Sequence, residues 1–108
     1  MSELRQPLNT NRLEARLAAL AAEKGCVTYG SLARELGCRM GELTVVLEAL
    51  MQQDAARGLP LRAALCEGRF SQGLPAQGFF LKCAELGIDV GDPVAFVADQ
   101  RARLFGTK

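Results

Sequence analysis

The stretch TYGSLARELGCRMGELTVVLEAL, Thr28 to Leu50, constrains the fold more than any other part of the chain. Ala33 and Gly37 stand one helical turn apart, and Leu43 and Val46 follow beyond them. Two short helices that touch across a sharp turn need a small residue at the crossing. They also need a residue tolerant of positive φ at the turn itself. Ala33 and Gly37 supply both, and Leu43 and Val46 supply aliphatic contacts where the second helix packs back. The spacing therefore predicts a helix-turn-helix unit. Thr28 offers its hydroxyl as an N-cap, Leu32, Ala33 and Leu36 face inward, and Gly37 ends the first helix of the pair. The second runs over about Met40–Ala56, with Leu43, Val46, Leu47, Leu50 and Met51 as its apolar stripe and Gly58 and Pro60 as its stop.

Asn11 and Glu14 form a capping-box variant, and Leu13, Leu17, Leu20 and Ala21 recur at helical spacing. A first helix is expected over 11–24, closed by Gly25 after Lys24, with Cys26-Val27 as a short extended link. Beyond Pro60 the apolar run Ala63 to Cys66 and the segment Arg69-Phe70-Ser71 bracket Glu67-Gly68, which predicts a small β-hairpin. LPAQG is a loop. Phe79, Phe80, Cys83, Ala84 and Leu86 predict a short fourth helix ending at Gly87. Asp92-Pro93 is an N-cap followed by proline at the first helical position, so a last helix runs to about Phe105 with Val94, Val97, Leu104 and Phe105 on one side. The expected fold is mainly α and winged-helix-like, three helices plus a small β-hairpin, with two additional C-terminal helices. A single domain of 1–108 is expected, 11–72 forming the winged-helix-like core and 73–108 a C-terminal extension.

Composition narrows the chemistry. The 108 residues are 49% hydrophobic, enough for one core. Lys and Arg number 13 against 12 Asp and Glu, a net charge of +1, so a strongly basic overall balance is absent. There is no histidine, which removes Ser-His-Asp and Cys-His nucleophiles, mixed Cys/His zinc sites and an imidazole base. Cys26, Cys38, Cys66 and Cys83 are scattered singly among apolar neighbours and read as core residues, with no metal expected. No apolar run approaches the roughly 20 residues of a membrane span. The opening MSELRQPLNT lacks the apolar centre of a signal peptide, and a cytoplasmic location is expected. Gly68, Gly73 and Gly78 lack the Lys-Ser/Thr of a phosphate loop, and the acidic residues of the second half lack calcium-loop spacing. Phe79-Phe80 reads as core. No enzyme activity and no cofactor are expected.

The order helix, link, helix, helix, hairpin resembles the winged-helix fold over residues 11–72. The following LPLRAALCEGRFSQGLPAQGFFLKCAELG is similar to the second half of small uncharacterised bacterial proteins that join a winged-helix start to a Gly-Phe-Phe segment and a terminal helix. That resemblance implies a fold rather than an activity. A shorter stretch, VTYGSLARELG, Val27 to Gly37, resembles the opening of the DNA-binding region of the alkylguanine DNA alkyltransferases and their inactive relatives. The Pro-Cys-His-Arg motif of that family is missing, and Cys66 is followed by Glu67-Gly68. Alkyl transfer is therefore excluded.

If the third helix read DNA, its groove-facing positions would be Arg39, Met40, Gly41, Thr44, Val45 and Glu48. Arg39 is a strong phosphate or guanine partner, and Thr44 can reach a base or phosphate. Arg34 and Arg39 flank the turn, while Arg62 and Arg69 fall on or beside the expected hairpin, where a wing meets phosphate. Candidate nucleic-acid contacts are therefore Arg34, Arg39, Thr44, Arg62 and Arg69. Against this, Met40 to Ala56 carries no Lys or Arg, and Glu42 and Glu48 would repel a polyanion. Two readings stand. One is a small non-enzymatic DNA-associated protein, transcription-regulator-like, with duplex DNA as its partner. The other is a protein-interaction module that keeps the fold without DNA binding and meets a protein or a second copy through the third or C-terminal helix.

Overall fold

A computed structural model describes residues 10–106. The opening stretch considered above for a signal peptide lies, but for Thr10, outside the described residues. Helix α1, Thr10–Glu23, buries Leu13, Leu17 and Leu20. Its closure differs from expectation: Lys24, not Gly25, takes the left-handed conformation, at φ 57°. The Gly25 N–H then bonds back to the Leu20 carbonyl at 2.8 Å. Strand β1, Val27–Thr28, leads directly into α2, Tyr29–Leu36. Thr28 caps α2 as expected, its hydroxyl accepting from the Ser31 N–H at 3.2 Å. Gly37 ends it at φ 69°, ψ 34°, with Cys38 N–H bonded to the Ala33 carbonyl at 3.0 Å. Helix α3, Met40–Ala56, follows, and the Arg39 N–H at its entrance donates to Glu42 Oε1 at 2.8 Å.

The expected hairpin does not form. Arg62–Leu65 is a 3₁₀ turn, and strand β2, Cys66–Glu67, pairs in parallel with β1, Val27 opposite Cys66 and Thr28 opposite Glu67. The reason is burial. Ala63, Ala64, Leu65 and Cys66 are all buried, so the run has no solvent face of the kind an antiparallel hairpin strand alternates with. Residues 69–73 then reverse the chain as a compact turn: the Gly68 N–H donates to the Leu74 carbonyl at 2.9 Å, and Leu74 N–H to Ser71 at 3.0 Å. A Cβ at Gly68 would lie 2.5 Å from Ser71 Oγ and 3.4 Å from Ala76 Cα, so a larger residue would force the Ser71 side chain to turn away.

Helix α4, Gln77–Glu85, buries Phe79 and Cys83. Helix α5, Pro93–Leu104, is capped by Asp92, whose carboxylate accepts from the Ala95 N–H at 3.0 Å. Val97 is its buried residue; Val94, expected on the inner side, stands exposed. The chain is thus mainly helical with one small parallel sheet. Its single core cluster draws Leu17, Leu32, Leu47 and Leu65 together with Phe79, Cys83 and Val97, so both C-terminal helices share the core of the first three.

A polar clamp holds the centre. Asp54, at the end of α3, is only 1% exposed. It accepts from the Arg62 N–H at 3.0 Å, from Arg62 Nε at 3.1 Å and from Arg62 Nη2 at 2.9 Å. Arg62 Nη1 reaches on to Glu14 of α1 at 3.1 Å. These carboxylates, Asp54 first, hold the Arg62 guanidinium above its ordinary value. From the other side Gln100 Oε1 accepts from the Leu61 N–H at 2.7 Å, and Arg101 Nε donates to the Ala64 carbonyl at 2.7 Å.

Gly37→Val should cost about 1–3 kcal/mol, because a β-branched residue is strained at positive φ. Strain is the leading cause, since a Cβ there would meet nothing within 4 Å. Gly37→Asn, which tolerates this region better, should recover most of the loss in a denaturant melt. Asp54→Ala should cost about 3–5 kcal/mol, the penalty for stranding one partner of a buried ion pair. An unchanged urea midpoint would show that the clamp does not hold the fold.

Candidate functional site: a cleft between the third and fourth helices

Helix α3 is apolar on more than its core side. Met40, Thr44, Leu47, Glu48 and Met51 form a second stripe at helical spacing, and this stripe forms one wall of a cleft of about 160 Å³. Ala76, Gly78 and Phe79 at the entrance of α4 line it as well, with Tyr29 and Ala63. Phe79 is fixed in turn by ring contacts, edge-on to Phe80 at 5.1 Å and tilted against Phe96 at 6.4 Å. The Tyr29 hydroxyl accepts from the Ala76 N–H at 3.1 Å, tying the first residue of α2 to the N-cap of α4.

Few polar groups enter this apolar space. Burial pushes the Tyr29 phenol up to about 12, partly offset by the Ala76 N–H. Thr44 spends its hydroxyl proton on the Met40 carbonyl at 3.0 Å. Glu48 contributes the charge. Lys82 of α4, paired with Glu85 at 2.9 Å, is held above its ordinary range by that hydrogen bond first, with a smaller contribution from Glu48. The carboxylates of Glu48 and Glu85 outnumber the single ammonium of Lys82.

The expected nucleic-acid contacts stand in different local settings. Arg34 and Arg39 are exposed on either side of the α2–α3 turn, and Arg34 donates to Ser31 Oγ at 3.3 Å. Thr44 lines the cleft. Arg62 sits on no hairpin and is occupied by Asp54 and Glu14. Arg69 lies in the turn after β2 with its guanidinium 5.1 Å from the centre of the Phe70 ring. Tyr29, Met51, Ala63, Ala76 and Gly78 were absent from the sequence-based site. For Met51 the signal was the second apolar stripe of α3, which shares Leu47 and Met51 with the first; Tyr29, Ala63, Ala76 and Gly78 carried none.

The thiols are packing groups. Burial raises those of Cys26, Cys66 and Cys83, Cys66 to about 12, so they are protonated at neutral pH. Among the described residues no three His, Cys, Asp or Glu side chains come together as a metal cluster, and no helix is long and apolar enough to cross a membrane. Compared with family models, with curated proteins and with solved structures, the chain finds no match.

The cleft environment has a titration signature. Below pH 10 the phenol of Tyr29 is neutral in both folded and unfolded chains. Between pH 10 and about 12 the unfolded chain ionises first, so stability should fall through that window. Absorbance at 295 nm should place the midpoint of the chain's one tyrosine near 12 in the folded protein. A midpoint near 10 would place the ring in water.

Proposed function

We propose that the chain is an interaction module, a winged-helix-related scaffold whose third helix offers an apolar cleft to a side chain of a partner protein. The observation that carries this reading is the cleft itself. It lies along the α3 stripe of Met40, Thr44 and Glu48, positions that a DNA-reading helix would keep for the groove. That wall carries no cation and one carboxylate, which favours a protein over a polyanion. A volume of about 160 Å³ is close to the engineered cavity size that accepts benzene. One buried apolar side chain is worth about 1.5–3 kcal/mol, so a lone anchor would bind weakly and a partner would add contacts around it.

DNA association is the second reading, favoured by the exposure of Arg34, Arg39 and Arg69. These would give weak, salt-sensitive attachment to phosphate rather than base readout.

The chain has one tyrosine and no tryptophan, so Tyr29 emission reports on the cleft directly. A capped peptide with a central phenylalanine should change that emission with a half-point on the order of ten millimolar. The same peptide with central serine should leave it unchanged. Met40→Ser should weaken the response about threefold or more, Met40 being half exposed at the cleft edge. No response to either peptide contradicts the interaction reading. Duplex binding at about 50 mM salt that disappears on Arg34→Glu with Arg39→Glu would favour the DNA reading instead.

A further inference from the structure

We propose that the cleft is filled by Phe70 of a second copy of this chain, with Arg69 of that copy meeting Glu48. The inference rests on the cleft reading above and names its occupant. Phe70 is 91% exposed, whereas Phe79 is buried and Phe80, Phe96 and Phe105 are packed against the core. Its backbone stands at φ 62°, and Gln72 two residues on at φ 54°. Such conformations are unfavourable for non-glycine residues and persist where the surroundings enforce them. Here they are enforced by the Gly68–Leu74 and Ser71–Gly68 backbone bonds, 2.9 and 3.1 Å. The turn therefore fixes the backbone that carries this solvent-exposed ring, which lowers the entropy lost on docking.

Size and charge both match. The cleft volume of about 160 Å³ accommodates a benzene-sized group. Arg69 travels with the ring, its guanidinium 5.1 Å from the ring centre. It forms none of the ion pairs between described residues. Glu48 at the cleft wall is the complementary charge. The connection also matters: the turn runs through buried Pro75 into Ala76, which lines the cleft. Knob and hole are thus carried on one short stretch of chain, and a reciprocal exchange of knobs about a two-fold axis would close as a dimer.

The test is sedimentation of the full chain from about 1 µM to about 1 mM, a range that covers weak self-association. Concentration-dependent dimerisation is expected. Phe70→Ser, at a fully exposed position, should leave the circular dichroism unchanged and weaken dimerisation about tenfold or more, since an apolar anchor is withdrawn. Glu48→Arg and Arg69→Glu should each weaken it. Carried together in one chain they should restore it, because the ion pair is then rebuilt in reverse. Three results would overturn the proposal: a wild-type chain monomeric at about 1 mM, a Phe70→Ser variant that dimerises like wild type, or a double variant no better than the singles. A monomer whose Tyr29 emission still responds to the phenylalanine peptide would overturn this occupant alone and leave the interaction reading in place.

Discussion

A single buried carboxylate organises this domain. Asp54 is nearly inaccessible, and a lone charge there would be expensive. It is tolerable because Arg62 meets it with a backbone N–H and a guanidinium fork. That pairing pins the 3₁₀ turn of residues 62–65 against the end of α3. Every other attachment of the turn builds on it. Glu14 reaches it from α1, Gln100 and Arg101 reach its two ends from α5, and Cys66 leaves it to pair with β1. The early and late halves of the chain therefore share one core, with this segment tied to both.

The cleft inherits its shape from this clamp. Ala63, in the middle of the pinned turn, is one of its lining residues, and α3 supplies one wall. The α4 side is placed by a separate bond, Tyr29 hydroxyl to Ala76 N–H, which reaches from the start of α2 to the start of α4. A helix pair of the sort that often enters a DNA groove is here flanked by a further helix along its second stripe. The cleft so formed presents apolar shape and the carboxylate of Glu48, with no cation among its lining residues.

The helices were legible because their ends carry chemistry. Thr28, Gly37 and Asp92-Pro93 act at the termini where the sequence placed them. The hairpin was not legible, because a short apolar run such as Ala63–Cys66 fits a strand and a buried turn equally well, and only its surroundings decide. Lys24 in place of Gly25 was missed because glycine is the usual left-handed residue, and the local bonds of α1 chose its neighbour. Asp54 continues the stripe of Leu43, Leu47 and Leu50, yet an acidic residue is ordinarily placed in solvent. Its burial depends on a guanidinium that sequence reading assigned to a wing. The cleft was partly visible in Met40 and Thr44, named then as groove contacts. Its α4 side was invisible, since it depends on how residues 76–79 return across α3.

The claim that the 62–65 turn is the hub of the fold has a direct measurement in native-state hydrogen exchange. The amides of Leu61, Arg62 and Ala64 donate to Gln100, Asp54 and Leu61 respectively. If the clamp organises the domain, these amides open only with global unfolding, at the same free energy as the amides of Leu47 and Leu50 in α3. Exchange of Leu61 and Arg62 at the fast rate of the exposed turn around Gln72, while α3 stays protected, would contradict the account.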